Sequence, residues 1–221
     1  MNLDIKDISN LLMMPAKAFS KLIKNNEIPS IKINDKHVFN KQNIIEWALE
    51  KNLPINLYGN EKFVEYKVQS LTSLIDESSF HFDCNFNKEN YIPEMVKLLN
   101  LGKEIDTEII IQVLKSREEL MSTAIGNGIA LPHPRIPIMI GKDKPLVHFF
   151  FPKQKLNLNS IDGKPIHTFI LLISQTIKQH LSVVAHLSFL LSKETFRFAL
   201  ENRLQPNEIL DISAKIEEAR V

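Results

Sequence analysis

The run Ser116–Arg135, SREELMSTAIGNGIALPHPR, gathers the side chains of this chain that could act together chemically. His133 stands between Pro132 and Pro134. The rings fix φ at both prolines, and Pro134 disfavours helical geometry at His133 itself, so the imidazole is presented on a stiff loop. Near pH 7 much of that imidazole is neutral, and a neutral ring nitrogen is a competent nucleophile. Upstream, Gly126-Asn127-Gly128 makes a side-chain-poor turn into a short apolar strand, Ile129-Ala130-Leu131; small residues of this kind let backbone N–H groups approach an anion. Arg117 and Arg135 are the nearest guanidiniums, able to neutralise a phosphoryl group bidentately. Ile129, Leu131 and Ile136 would form an apolar collar that excludes water. A proline-flanked histidine or a GNG turn alone is most often only a turn. The combination describes a place to carry phosphate on nitrogen.

Such a loop needs a sheet to hold it. Val147–Phe151 and Thr168–Ile173 are short, almost continuous β-rich runs, typical of strands buried on both faces. Between and around them lie helical patterns: Lys88–Leu99, a helix capped at Asp106 or Thr107 that carries Ile109, Ile110, Val113 and Leu114, Leu181–Leu191, and a last helix from about Asn207. Strands interleaved with helices predict an α/β fold, a mixed sheet flanked by helices.

The first sixty residues have a different pattern, with eight lysines, six acids and no arginine; the first arginine of the chain is Arg117. Leu3-Asp4 can begin a first helix in which Ile5, Ile8, Leu11 and Leu12 recur at helical spacing, and Pro15 opens a second helix to Lys24 with Ala18, Phe19, Leu22 and Ile23 on one face. Ser30–Ile33 and His37–Phe39, joined by Asn34-Asp35-Lys36, predict a hairpin, and Asn40 can cap a third helix carrying Ile44, Ile45, Trp47, Ala48 and Leu49. Pro54 and Gly59 interrupt the periodicity between the two regions. The expected organisation is therefore 1–53, a linker over 54–65, and 66–221.

Composition bounds the rest. The 221 residues carry 27 Lys+Arg against 26 Asp+Glu, a formal charge of +1, and 44% apolar residues, which excludes disorder and bulk electrostatic adhesion to nucleic acid or membrane. No run approaches ~18 consecutive apolar residues, so no membrane partner is expected. The single cysteine, Cys84, forms no internal disulfide and suits a reducing cytoplasm. His186 follows His180 by six residues, off the i, i+4 spacing of a helical metal pair, and no dedicated metal site or cofactor is expected.

Two resemblances extend this reading. The LDIKDISNLLMMPAKAFSKLIKNNEIPSIKIN segment with the closing HVFNKQNIIEWALEKN resembles the excisionase/MerR-like winged helix-turn-helix family. That implies DNA as a partner, with Lys17, Ser20, Lys21 and Lys24 of the second helix facing the major groove and Lys32 and Lys36 on the wing. The absence of arginine there limits bidentate base reading. From about Tyr66 to Val221, the SRE run (116–118), S-T-x-I-G-N-G-I-A-x-P-H (122–133), D-G-K-P-I-H (162–167) and HLSVVAHLSFLL (180–191) resemble enzyme IIA of the bacterial phosphotransferase system, fructose/mannitol and nitrogen-regulatory class. The resemblance implies His133 as phospho-acceptor, His180 as the second active-site histidine, Arg117 as the active-site arginine, Ser122, Thr123, Gly126, Asn127, Gly128 and Arg135 in support of the phosphate loop, and the histidine phosphocarrier protein as donor. Met121 and Ala124 stand where the family carries glycines, and Pro134 replaces a common glycine.

Three functions follow as alternatives. One is a regulator in which phosphorylation at His133 biases DNA or partner binding. A second is a IIA component serving a separate sugar permease. The third is an unphosphorylated transcription factor whose IIA region is a degenerate platform for protein partners. A small lysine-only head would hold DNA weakly, which leaves a homodimer open.

Overall fold

A computed structural model of the chain describes residues 2–33, 36–51, 53–56, 67–142 and 144–219. The chain divides into two compact units, one made of residues 1–63 with 136–142, the other of 64–135 with 143–221. The expected 54–65 linker lies mostly outside the described residues. The return of 136–142 to the first unit was not expected from the sequence, where the second domain ran unbroken from residue 66.

The first unit opens with β1 (Asn2–Leu3), α1 (Ile5–Leu11), α2 (Ala16–Lys24), β2 (Ile31–Ile33), β3 (Lys36–Asn40), α3 (Lys41–Glu50) and β4 (Ile55–Asn56). Caps read from sequence take their expected places. The Asp4 carboxylate accepts the Asp7 N–H at 2.8 Å while Asp7 accepts from Asp4, and Asn40 Oδ1 accepts the Gln42 and Asn43 N–H groups. Pro15 stands immediately before α2, and Asn26, at φ +54°, turns the chain after it. The sheet order is β1-β3-β2, antiparallel throughout, so the two predicted strands pair, while the joining Asn34 and Asp35 lie outside the described residues. Ile8, Leu12, Phe19, Phe39, Ile44, Ile45 and Ala48 are almost wholly buried, and Phe19 meets Phe39 edge-on at 6.4 Å between ring centres.

The second unit is a five-stranded mixed sheet. In chain order it contains β5 (Phe80–Cys84), α4 (Tyr91–Leu98), α5 (Thr107–Leu120), β6 (Ala124–Gly126) and β7 (Ile129–Ala130). After β8 (Ile138–Met139), which belongs to the first unit, come β9 (Leu146–Pro152), β10 (Thr168–Ile173), α6 (Ile177–Leu191), α7 (Glu194–Glu201) and α8 (Pro206–Glu218). The order across the sheet is β5-β9-β10-β7-β6; β9 runs antiparallel to β10, while β5 on β9 and β7 on β10 are parallel. Alternation sorts the central strands. Val147, Phe149, Phe151, Ile170 and Leu172 join Val183, Leu187, Leu190, Phe196 and Leu200 of α6 and α7 in one core. Phe150 and Phe169 turn to the other face, against Phe86 and Tyr91. The α/β expectation therefore holds, with helices on both faces. Strand β5 and helix α7 escaped sequence reading: β5 is broken by a register shift at Asp83, which sits at φ +53°, and α7 buries only Phe196, Ala199 and Leu200.

His148 lies within β9 and shares a hydrogen bond with His81 of β5 (Nδ1···Nε2 3.0 Å), their rings stacked 5.3 Å apart. Burial lowers both pKa values, that of His148 to about 4. Because each lies below the unfolded value of 6.5, the stability tied to the neutral pair is complete above pH 6.5 and is lost as the pH falls toward 4. Urea unfolding is expected to show a loss on the order of 2 kcal/mol between pH 7 and pH 4.5, smaller in a His81→Phe/His148→Phe protein.

Candidate functional site

The His133 loop hangs from the centre of the second unit's sheet. Strand β7 pairs with β10 through Ile129↔Thr168 and Ala130↔Phe169, and one step further the Leu172 N–H donates to Pro132 O at 3.0 Å. Strand pairing thus continues to the residue before the histidine. His133 Nδ1 lies 2.7 Å from Leu131 O. A carbonyl only accepts, so Nδ1 carries the hydrogen and, in the neutral ring, the free lone pair is on Nε2. Pro132 and Pro134 are buried on either side.

Helix α6, whose Thr176 side chain caps it by accepting the Gln179 N–H, brings His180 to His133 with ring centres 5.2 Å apart and planes tilted by 38°. Burial lowers the His133 pKa, opposed by the bond to Leu131 and reinforced by the Arg117 charge. The His180 value falls to about 4, through burial first and then the neighbouring His133. At pH 7 the site is therefore a pair of neutral imidazoles in the field of one guanidinium. Arg117, in the last turn of α5, donates from Nη1 to Met121 O at 2.7 Å, which closes the helix end and orients the side chain.

The structure thus brings His133, His180 and Arg117 together and gives the supporting residues other work. Ser122 Oγ donates to Leu158 O and accepts the Ala124 N–H. Thr123 is buried and donates from both N–H and Oγ to the Glu118 carboxylate. Gly126, Asn127 and Gly128 form the turn at the opposite end of β7 from His133: the Asn127 N–H donates to Asp162 Oδ2 at 2.7 Å, and Gly128 O accepts from the His167 and Thr168 N–H groups. That bond, first among several, holds the Asp162 carboxyl below its ordinary range. A Cβ on Gly128, already at φ +70°, would lie 2.3 Å from the His167 ring. The turn is thus tied into the D-G-K-P-I-H segment. Arg135 is exposed just beyond Pro134. Neither Met121 (φ −170°) nor Ala124 adopts positive φ, so the loop accommodates both without the glycines of the family pattern.

The expected apolar collar needs correction. Ile129, Leu131 and Ile136 are 8% exposed or less, because they are core residues. The most exposed apolar side chains on the segments that carry the site are instead Leu120 and Met121 after Arg117, and Ile177 and Leu181 beside His180, each more than 60% exposed. Glu118 is the residue whose part sequence reasoning missed. It was visible only as one letter of the SRE run, and its partners Thr123 and Tyr91 come together only in the fold; its charge and bond push the already buried Tyr91 hydroxyl further up in pKa. In the first unit, Lys17, Ser20, Lys21 and Lys24 are exposed along α2 and Lys32 is exposed on β2; the Lys36 side chain lies outside the described residues.

A mixed α/β sheet presenting paired imidazoles and an arginine at the end of a central strand defines a histidine-centred domain. Residues 73–215 match the family of the phosphoenolpyruvate-dependent sugar phosphotransferase system, EIIA 2, and the chain belongs to that family. It is 35% identical over 129 residues (57% of this chain, 20% of the relative) to the PTS system fructose-specific EIIABC component of Bacillus subtilis strain 168, and 30% identical over 101 residues (45% and 64%) to the nitrogen regulatory protein of Pseudomonas aeruginosa. The chain thus spans less than two thirds of either relative. In fold it resembles nitrogen regulatory protein IIA-Ntr from Neisseria meningitidis, with TM-score 0.56 and 23% identity over 64% of this chain and 97% of that one. No helix among the described residues is long and apolar enough to cross a membrane, and no group of three or more His, Cys, Asp or Glu converges among them as a metal set.

Glu118→Ala should release the Ser122–Thr123 turn and lower unfolding free energy by about 2 kcal/mol, and Tyr91→Phe by about 1 kcal/mol, in denaturant titrations. In NMR titrations of the histidine rings His180 should stay neutral down to about pH 4, with His133 also titrating below 6.5.

Proposed function

We propose that the chain is a IIA-type regulatory protein that accepts a phosphoryl group on Nε2 of His133 from the histidine phosphocarrier protein and couples that state to DNA or partner binding. The observation that carries the proposal is the Leu131 carbonyl on Nδ1, which leaves the Nε2 lone pair as the nucleophile of a neutral ring. In the transfer, the P–N bond to the carrier's ring breaks with its electron pair staying on that ring, and the Nε2 lone pair forms the new bond. The Nδ1 hydrogen stays on His133, and the Leu131 carbonyl stabilises the positive charge the ring acquires. Arg117 and His180 face the charge spread over the phosphoryl oxygens. Burial keeps His180 neutral, and a neutral ring still carries one N–H with which to donate to a phosphoryl oxygen, so no proton has to move for it to assist. Leu120, Met121, Ile177 and Leu181 form an apolar rim suited to docking the carrier and shedding water from the transferring group.

Offered the phosphorylated carrier, the wild-type protein should label and His133→Ala should not; undiminished labelling of the variant would end the assignment. His180→Asn should slow labelling on the order of 10²-fold by removing one stabilising group.

For the first unit we propose the winged helix-turn-helix reading, with α2 in the major groove and the β2–β3 hairpin as wing. Its support is the order of helices and hairpin and the exposed line Lys17, Lys21 and Lys24. Replacing these three lysines with Ala should lower the slope of log affinity against log salt by about 3 and weaken binding to all duplexes alike, as read by gel shift across salt concentrations.

A further inference from the structure

The run that follows the phospho-acceptor loop leaves its own unit. Residues 136–142 belong to the first unit, and the chain then returns to the second. In the first unit this run is core. Ile136, Ile138, Met139 and Ile140 are all 8% exposed or less, Ile138 being fully buried, and Ile55 beneath them is fully buried as well. Strand β8 pairs in parallel with β4 through Ile138↔Ile55 and Met139↔Asn56, and the Ile55 N–H donates to Pro137 O at 3.4 Å. Strand β4 in turn packs on α1, the helix leading to the lysine-lined α2, and the Leu53 N–H before it closes onto Ala48 O of α3. The first unit is thus completed by a segment borrowed from the other half of the sequence.

The connector has little slack. Between His133 and β8 lie Pro134, Arg135, Ile136 and Pro137, two of them prolines with fixed φ, while Pro132 before the histidine is pinned to Leu172. Such a chain has fewer free torsions with which to absorb a displacement at His133. The receiving end is short: a two-residue parallel ladder, flanked by a long Ile55–Pro137 hydrogen bond, lies at the low end of local stability.

We infer that Ile136–Ile140 is a strap through which phosphorylation of His133 loosens the first unit, an inference that rests on the phospho-acceptor reading above. A phosphoryl group adds close to two negative charges on Nε2 and draws the loop toward Arg117 and His180. With Pro132 pinned, the movement falls on Pro134–Pro137 and pulls on the β8–β4 pair. Since β4 supports α1 and α1 supports α2, the exposed face of α2 then changes with the state of His133. By reciprocity, anything that binds and orders the first unit disfavours phosphorylation.

The test uses the full chain and phosphoramidate, a small-molecule phosphoryl donor to imidazoles, with hydrogen exchange and intact mass read on the same samples. Phosphorylated wild-type protein should exchange amides at 53–56 and 138–140 about fivefold faster or more than unmodified protein, while β9 and β10 stay unchanged. His133→Ala should show no change. In Ile138→Ala, with the strap already loosened, His133 should still take up the phosphoryl group but residues 53–56 should no longer respond. Phosphorylated His133 with unchanged or slower exchange at 53–56 overturns the strap alone. Absence of a phosphoryl group on the His133 peptide overturns the phospho-acceptor reading and the strap with it.

Discussion

The phospho-acceptor proposal, and the strap built on it, depend on the anchoring of the His133 loop to the end of a strand. Leu131 O holds the His133 ring and Leu172 N–H holds Pro132 O, so the histidine is tied both to its own backbone and to the central strand β10. The first bond selects the tautomer; the second places the ring within reach of α6, which begins just after β10 ends. Remove either, and the two imidazoles lose the shared geometry on which their electrostatics rest.

Those electrostatics are an outcome of packing. Taking two histidines partly out of water makes charging each of them costly, and the neighbouring His133 adds to that cost at His180 as Arg117 does at His133. The result is a neutral pair of rings, with the Arg117 charge felt at His133, which suits the dianion of the proposed transfer. The bracing around it has a similar logic. The Glu118 carboxylate is satisfied by the Thr123 N–H and hydroxyl, Ser122 is spent on Leu158, and the glycine turn is spent on Asp162 and His167. These groups hold the frame and leave fewer side chains for the proposed phosphoryl site than the Ser116–Arg135 run suggests.

Much of the fold was legible in the residues because its signals are local. Helices α1, α2 and α3 announce themselves by Asp4, Pro15 and Asn40, and β9 and β10 by apolar runs that only a doubly covered strand carries. Strand β5 was hidden because its pairing shifts register midway, and the true apolar rim was hidden because burial, not residue type, distinguishes Ile129 from Ile177. Likewise Ile136–Ile140 carries no mark of the unit it joins: an apolar run signals that it is buried, not against which partner.

The sequence by itself determined the order of elements, the stiffness of the loop and the identity of the groups that meet there, since these depend on backbone chemistry and near-neighbour spacing. Only the tertiary structure decided which nitrogen of His133 is free, that Glu118 braces the loop, and that a strand from beyond the histidine completes the first unit. Each of these depends on contacts between residues far apart in the chain, where hydrogen-bond partners and buried area are set by the packing of whole elements rather than by any local pattern.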